Sequence, residues 1–180
     1  MRLRFLALVF AAPLLLGAGV PEPEGFRIDN YNAPTPGTLT GGRVVGAGVL
    51  AAAIANGAIA IDVLPAPRRP AGMPEDRPWL PVPRRNLPGS LWWPEVGRGV
   101  ISPQLDAWFR KRLEEVTGGD KDKAIAFYCK ADCWMSWNAA KRAAGYGYRQ
   151  VLWFPGGPEE WKAQGYELAD GVAEAVPAEP

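Results

Sequence analysis

Three short apolar runs constrain this chain more than any other feature: AIAIDVL at Ala58–Leu64, AIAFY at Ala124–Tyr128 and RQVLWF at Arg149–Phe154. Each has strand length and too little polar alternation for a half-solvated sheet, so each fits a strand buried on both faces. Helical segments separate them. The strongest is SPQLDAWFRKRLEEVTGG, in which Ser102 suits an N-cap and Pro103 the first turn. Leu105, Trp108, Phe109, Leu113 and Val116 then recur at helical spacing as a buried stripe, and Gly118 ends the helix. Shorter helices are expected over Gly48–Gly57, from Ser136 to Ala144, and after Gly156. Further strands are expected at Arg43–Val45 and within Ser90–Pro94. Alternation of strands and helices implies an α/β domain with a mainly parallel sheet and helices on both faces.

Proline and glycine mark where this pattern stops. The 180 residues include 19 Pro and 21 Gly, and many of the prolines fall in two loop-like stretches. Residues 20–42 read as an extended segment leading into a domain over 43–168. Residues 65–90 read as a long loop rich in Pro and Arg, with Trp79 as an aromatic anchor; loops of this length are usually functional or disordered. Residues 169–180 read as a disordered acidic tail.

The first residues follow secretory order: Arg2 and Arg4, an apolar run from Phe5 to Leu16, then small residues at Gly17–Gly19. We expect residues 1–19 to be a cleaved signal peptide and the protein to be periplasmic. Cleavage would remove two arginines and no acid from a total of 20 basic and 19 acidic residues. The mature chain is then near neutral, with nothing favouring nucleic acid and no stable membrane insertion. Export also places the thiols where disulfides persist. There is no histidine, which excludes Ser-His-Asp and Cys-His machinery and histidine-bound metals. Two cysteines alone cannot complete a four-thiolate zinc site, and no metal or cofactor is expected.

The chemistry therefore centres on FYCKADCWMSWNAAKRA, which holds both cysteines at a joint between strand and helix. Cys129 ends the strand Ala124–Tyr128, and ligands of open α/β sheets bind beyond such strand ends. Three roles are open to Cys129: an inert core thiol, half of a disulfide with Cys133, or a nucleophile. The following loop and helix N-terminus would lower its pKa and replace histidine as the activator. Asp132 is placed to cap that helix, and its charge opposes a thiolate nearby. Trp134 and Trp137 are open to core or functional use. On this reading Cys129 is the more acidic thiol and reacts first.

The segment resembles the active-site loop of rhodanese-like domains, in which a cysteine ends a parallel strand and its loop wraps around it. AIAIDVLPAP resembles the rhodanese strand that ends in an acidic residue. NLPGSLWWP resembles the segment that usually reads H-I-P-G-A, with Asn86 in place of histidine. AAGYGYRQVLWFPGGPEEWKAQGY is similar to the closing signature, through Gly156, Gly157, Trp161 and Gly165. CKADCWMSWNAAKR with the leader resembles exported CXXCW-motif proteins associated with PQQ-dependent catabolism.

The resemblance implies a rhodanese-like fold and sulfur transfer or persulfide carriage by Cys129, with Cys133 as resolving thiol. It implies a substrate-binding loop of Lys130, Ala131, Asp132, Trp134, Met135 and Ser136. Arg84 and Arg85 are candidate attractors of an anionic donor. The usual loop arginine is missing, which weakens a thiosulfate or phosphoryl substrate. A thiol–disulfide protein, and a non-enzymatic binding or maturation partner of a quinoprotein (PQQ) alcohol dehydrogenase, stand as alternatives. A thiol acceptor protein is the other expected partner.

Overall fold

In a computed structural model, residues 20–177 are described; the expected leader and the last three residues of the tail lie outside them. The three apolar runs become β2 (Ile59–Asp62), β5 (Ile125–Tyr128) and β6 (Val151–Phe154), joined by β1 (Arg43–Val44) and β4 (Leu91–Trp92). The order is β1-β6-β5-β2-β4 and every pairing is parallel. As expected, the three runs are neighbours. Tyr128, the last residue of β5, lies level with Asp62 on one side and Phe154 on the other.

Strand alternation divides the core into two layers. Ile61, Ile125, Phe127, Val151 and Trp153 face α2 (Pro103–Thr117) and α3 (Trp134–Gly145). Ala60, Ala126, Tyr128, Leu152 and Phe154 face α1 (Ala47–Ala55) and α4 (Gly157–Ala163). Helix α2 is capped as read: Ser102 accepts the Leu105 N–H at 3.1 Å, and Gly118 closes the helix in the left-handed region. Its buried stripe is Leu105, Phe109 and Leu113, with Trp108 and Val116 half-buried at the flanks.

Three expectations need correction. Helix α3 starts at Trp134, two residues before Ser136, and Cys133 rather than Asp132 takes the N-cap position. The reason lies outside the helix. Residues 20–42, extended as expected, are packed along it, and the Tyr31 carbonyl accepts the Trp134 N–H at 2.9 Å. A first-turn donor is thus satisfied from another segment. The same segment bonds to Trp137, Asn138 and Lys141 through Thr38, Arg27 and Pro23.

The loop over 65–90 contains a strand, β3 (Arg85–Asn86), and the Arg69 guanidinium ties the loop to itself through the carbonyls of Pro74, Glu75 and Arg77. The tail, expected to be disordered, pairs as β7 (Ala169–Asp170) antiparallel to β3. Beyond β7, Ala173 bridges Trp92, and Glu174 accepts from the Trp93 indole at 2.7 Å and from Arg112 at 2.8 Å. Low hydrophobicity concealed this anchoring because it rests on a carboxylate and on backbone pairing.

Replacing Glu174 with Ala leaves the buried Trp93 indole donor unpaired. The expected loss is about 1–2 kcal/mol of unfolding free energy by urea titration, whereas a tail without contacts would show none.

Candidate functional site

At the carboxyl end of β5 the chain turns through residues 129–133 and enters α3. Cys129 is 0% exposed and Cys133 3% exposed, and both are free thiols. Asp132 carries the turn at φ +52°, a left-handed conformation that Asp tolerates better than most residues. This turn brings the second thiol back to the first.

The electrostatics of the pair reverse the expected order. Burial pushes the Cys129 thiol well up, and the neighbouring Cys133 sulfur and Asp62 add to the rise. Cys133 is lowered to about 7, first by hydrogen bonding from the Cys129 thiol and then, against its own burial, by the N–H groups of Met135 and Lys130 and by the Lys130 charge. Its side chain closes no formal cap bond, yet the helix N-terminus favours negative charge at this position. With α3 beginning at Trp134, the Met135 N–H in its first turn bonds to Cys133. As pH rises the pair loses its first proton from Cys133, while Cys129 keeps its own.

The walls of the site come from three other elements. Asp62, fully buried at the end of β2, pairs with Arg84 Nε at 2.8 Å, and Arg84 Nη2 donates to the Cys129 carbonyl at 2.8 Å. Burial raises Asp62 to about 6 despite the Arg84 charge and the Leu64 N–H, while the same ion pair raises Arg84 against its own burial. Pairing favours charge on both partners; for the carboxylate, desolvation outweighs it. On the other side Gly157 sits at φ +58°, where a Cβ would lie 2.9 Å from Lys130 Cα and 3.0 Å from the Cys129 carbonyl oxygen. Only glycine allows the β6–α4 turn to come so close. Glu159 accepts the Ala131 N–H at 3.4 Å. Third, the Tyr128 hydroxyl meets Ser90 Oγ at 2.6 Å and Leu87 N at 3.2 Å, fixing the Leu87–Ser90 turn against β5.

The residues expected in the loop have separate fates. Lys130 is half-buried beside the thiols, and Ala131 and Asp132 are exposed at the rim. Trp134, Met135 and Ser136 are buried, as the two cysteines are. Trp134 stacks edge-on with Trp137 at 5.4 Å and donates to the Pro34 carbonyl; Ser136 bonds to the Cys133 carbonyl and the Trp153 indole. Arg84 is committed to Asp62 and the Cys129 carbonyl. Arg85 turns away to Asp170 and Leu168. Asn86 is buried in β3 with no partner for either amide atom.

Sequence reasoning missed Glu159 and the cover provided by Tyr31–Pro34. The GG pair at the end of β6 was the one available signal for the close approach at Gly157. One depression of about 650 Å³, lined by Gly42, Tyr148 and Val151, touches neither cysteine.

A family model for the rhodanese-like domain matches residues 49–164, and the chain belongs to that family. No curated protein matches it by sequence.

Two outcomes follow. Iodoacetamide labelling should titrate with an apparent pKa near 7, with the first label on Cys133; a midpoint near 9 or first labelling of Cys129 would contradict the assignment of charge. For Asp62, a folded pKa above the unfolded value means stability that is present below pH 3.8 and lost as pH rises through about 6. The unfolding free energy of the wild type should therefore fall, relative to Asp62→Asn, by on the order of 3 kcal/mol over that window. A difference that stays flat or grows with pH would show that the ion pair, not burial, dominates.

Proposed function

We propose that this rhodanese-like protein carries sulfane sulfur on the Cys129–Cys133 pair. The supporting observation is the joint itself: two buried free thiols stand at the carboxyl end of the central strand, in a family whose loop occupies this place. Cys133 thiolate attacks the outer sulfur of a donor. The new S–S bond forms as the donor's S–S bond breaks, and the donor leaves with the bonding electron pair, taking the proton of Cys129 or one from water. An acceptor thiolate then attacks the outer sulfur of the persulfide, which restores the Cys133 thiolate. Alternatively Cys129 attacks the inner sulfur, giving a Cys129–Cys133 disulfide and releasing hydrosulfide. Backbone N–H groups of Lys130 and Met135 stabilise the negative sulfur throughout.

Among the described residues, neither arginine expected at the site is free: Arg84 is held by Asp62, and Arg85 bonds to Asp170 and Leu168. That disfavours a small dianion and favours a persulfide or polysulfide donor with a protein thiol as acceptor. We place the protein in the periplasm after removal of residues 1–19, in association with PQQ-dependent alcohol oxidation. A quinoprotein alcohol dehydrogenase, or a thiol acceptor serving it, is the partner in this reading. The support is the leader-like order of residues 1–19 and the CKADCW segment.

The hydrogen bonding between the thiols also favours a second reading, a dithiol–disulfide couple that exchanges electrons without carrying sulfur. Intact mass measurement after brief exposure to polysulfide separates the two. Sulfur carriage predicts an adduct of ~32 mass units that dithiothreitol removes, built up in Cys129→Ser and absent in Cys133→Ser. A loss of ~2 units with no sulfur adduct in any variant would leave the redox couple in its place.

A further inference from the structure

Both thiols are closed to solvent, yet either reading requires a second molecule to reach them. Three of the elements around the site are held very differently. The Arg84 side is locked by a buried ion pair and the Cys129 carbonyl. The Gly157 turn is fixed between β6 and α4, with its backbone packed on the loop. The third cover is Tyr31–Pro34. It belongs to no helix or sheet of the fold and crosses the loop at Cys133, where Asn32 forms an isolated antiparallel bridge.

This crossing rests on few contacts. Ala33 N–H donates to the Asp132 carbonyl at 3.1 Å, Trp134 N–H to the Tyr31 carbonyl at 2.9 Å, and the Trp134 indole to the Pro34 carbonyl at 3.1 Å. The Tyr31 hydroxyl accepts the Gly99 N–H at 3.0 Å as a fourth anchor. Asn32 and Pro34 are exposed, and the half-buried Tyr31 and Ala33 pack on the core cluster that includes both cysteines. Just before the crossing, Asn30 stands at φ +42°, in the left-handed region. Segments with few buried contacts and exposed hydrogen bonds open most readily.

We propose that Tyr31–Pro34 is a lid over the Cys129–Cys133 pair, which lifts from Asp132–Trp134 to admit the reacting partner and closes over the sulfur held there. Lifting breaks three hydrogen bonds at the loop and leaves the sheet, α3 and the Asp62–Arg84 pair in place. The lid rests on the proposed function only in taking these thiols as the groups to be reached.

The test is the rate of thiol modification in the reduced full chain, with bulky dithiobis-nitrobenzoate and small methyl methanethiosulfonate, in urea below the unfolding transition. Ala33→Pro removes the donor to Asp132, and Tyr31→Phe removes the acceptor for Gly99. Each should speed the bulky reagent at least 10-fold, speed the small one less, and leave the unfolding midpoint close to wild type. The wild-type rate should depend on urea far more weakly than global unfolding does. Unchanged rates in two folded variants would overturn the lid. So would a wild-type rate that tracks global unfolding, and that measurement decides even where a variant folds poorly. Fast-labelling variants that take up no sulfur would support the lid and remove the sulfur-carrier reading.

Discussion

Every part of the site depends on β5 being hydrogen-bonded on both sides by parallel neighbours. A strand in that position has no solvent edge, and its side chains enter the two core layers alternately. Phe127 goes to the α2–α3 layer and Tyr128 to the α1–α4 layer. The chain must then leave the sheet at a fixed height, where β2 ends in Asp62 and β6 in Phe154. Residues from β2, β6 and the long loop converge on one turn because parallel strands all end on the same side.

Much of this was legible in residues. Ala58–Leu64, Ala124–Tyr128 and Arg149–Phe154 announced buried strands, and Ser102, Pro103 and Gly118 announced both ends of α2. What stayed hidden depended on partners distant in sequence. Asp132 has the composition of an N-cap, but α3 begins after Cys133 because Tyr31, about a hundred residues away, supplies an acceptor for the Trp134 N–H. No local rule reports such a bond. The tail was misread for a related reason: Glu174 is anchored by Trp93 and Arg112, which a count of apolar side chains does not register. Arg84 looked like a free cation because its spacing says nothing about the buried carboxylate it meets.

The thiols show the same division between pattern and placement. Their position at a strand-to-helix joint was readable, and it pointed to the right region. Their relative acidity was not, because it turns on how deeply each sulfur is buried and on the hydrogen bond between them. Burial raises Cys129, and the hydrogen bond from its thiol lowers Cys133, with the Met135 N–H at the start of α3 adding to the second effect. Arg84 and Asp62 add a constraint of a different kind: a buried pair whose desolvation cost is accepted while it fixes the Cys129 carbonyl and the end of the proline-rich loop together.

The pairing of the tail with β4 bears on how the chain is made. A parallel sheet has two open edges, and unpaired edge groups invite association with other chains. One edge here is β1, only two residues long. The other is β4, and the backbone that covers it comes from Ala173 and Glu174. During synthesis β4 emerges some eighty residues before its cover does. That edge is therefore unguarded while nearly half of the chain is made. Truncation before Ala173 would leave that edge open to self-association.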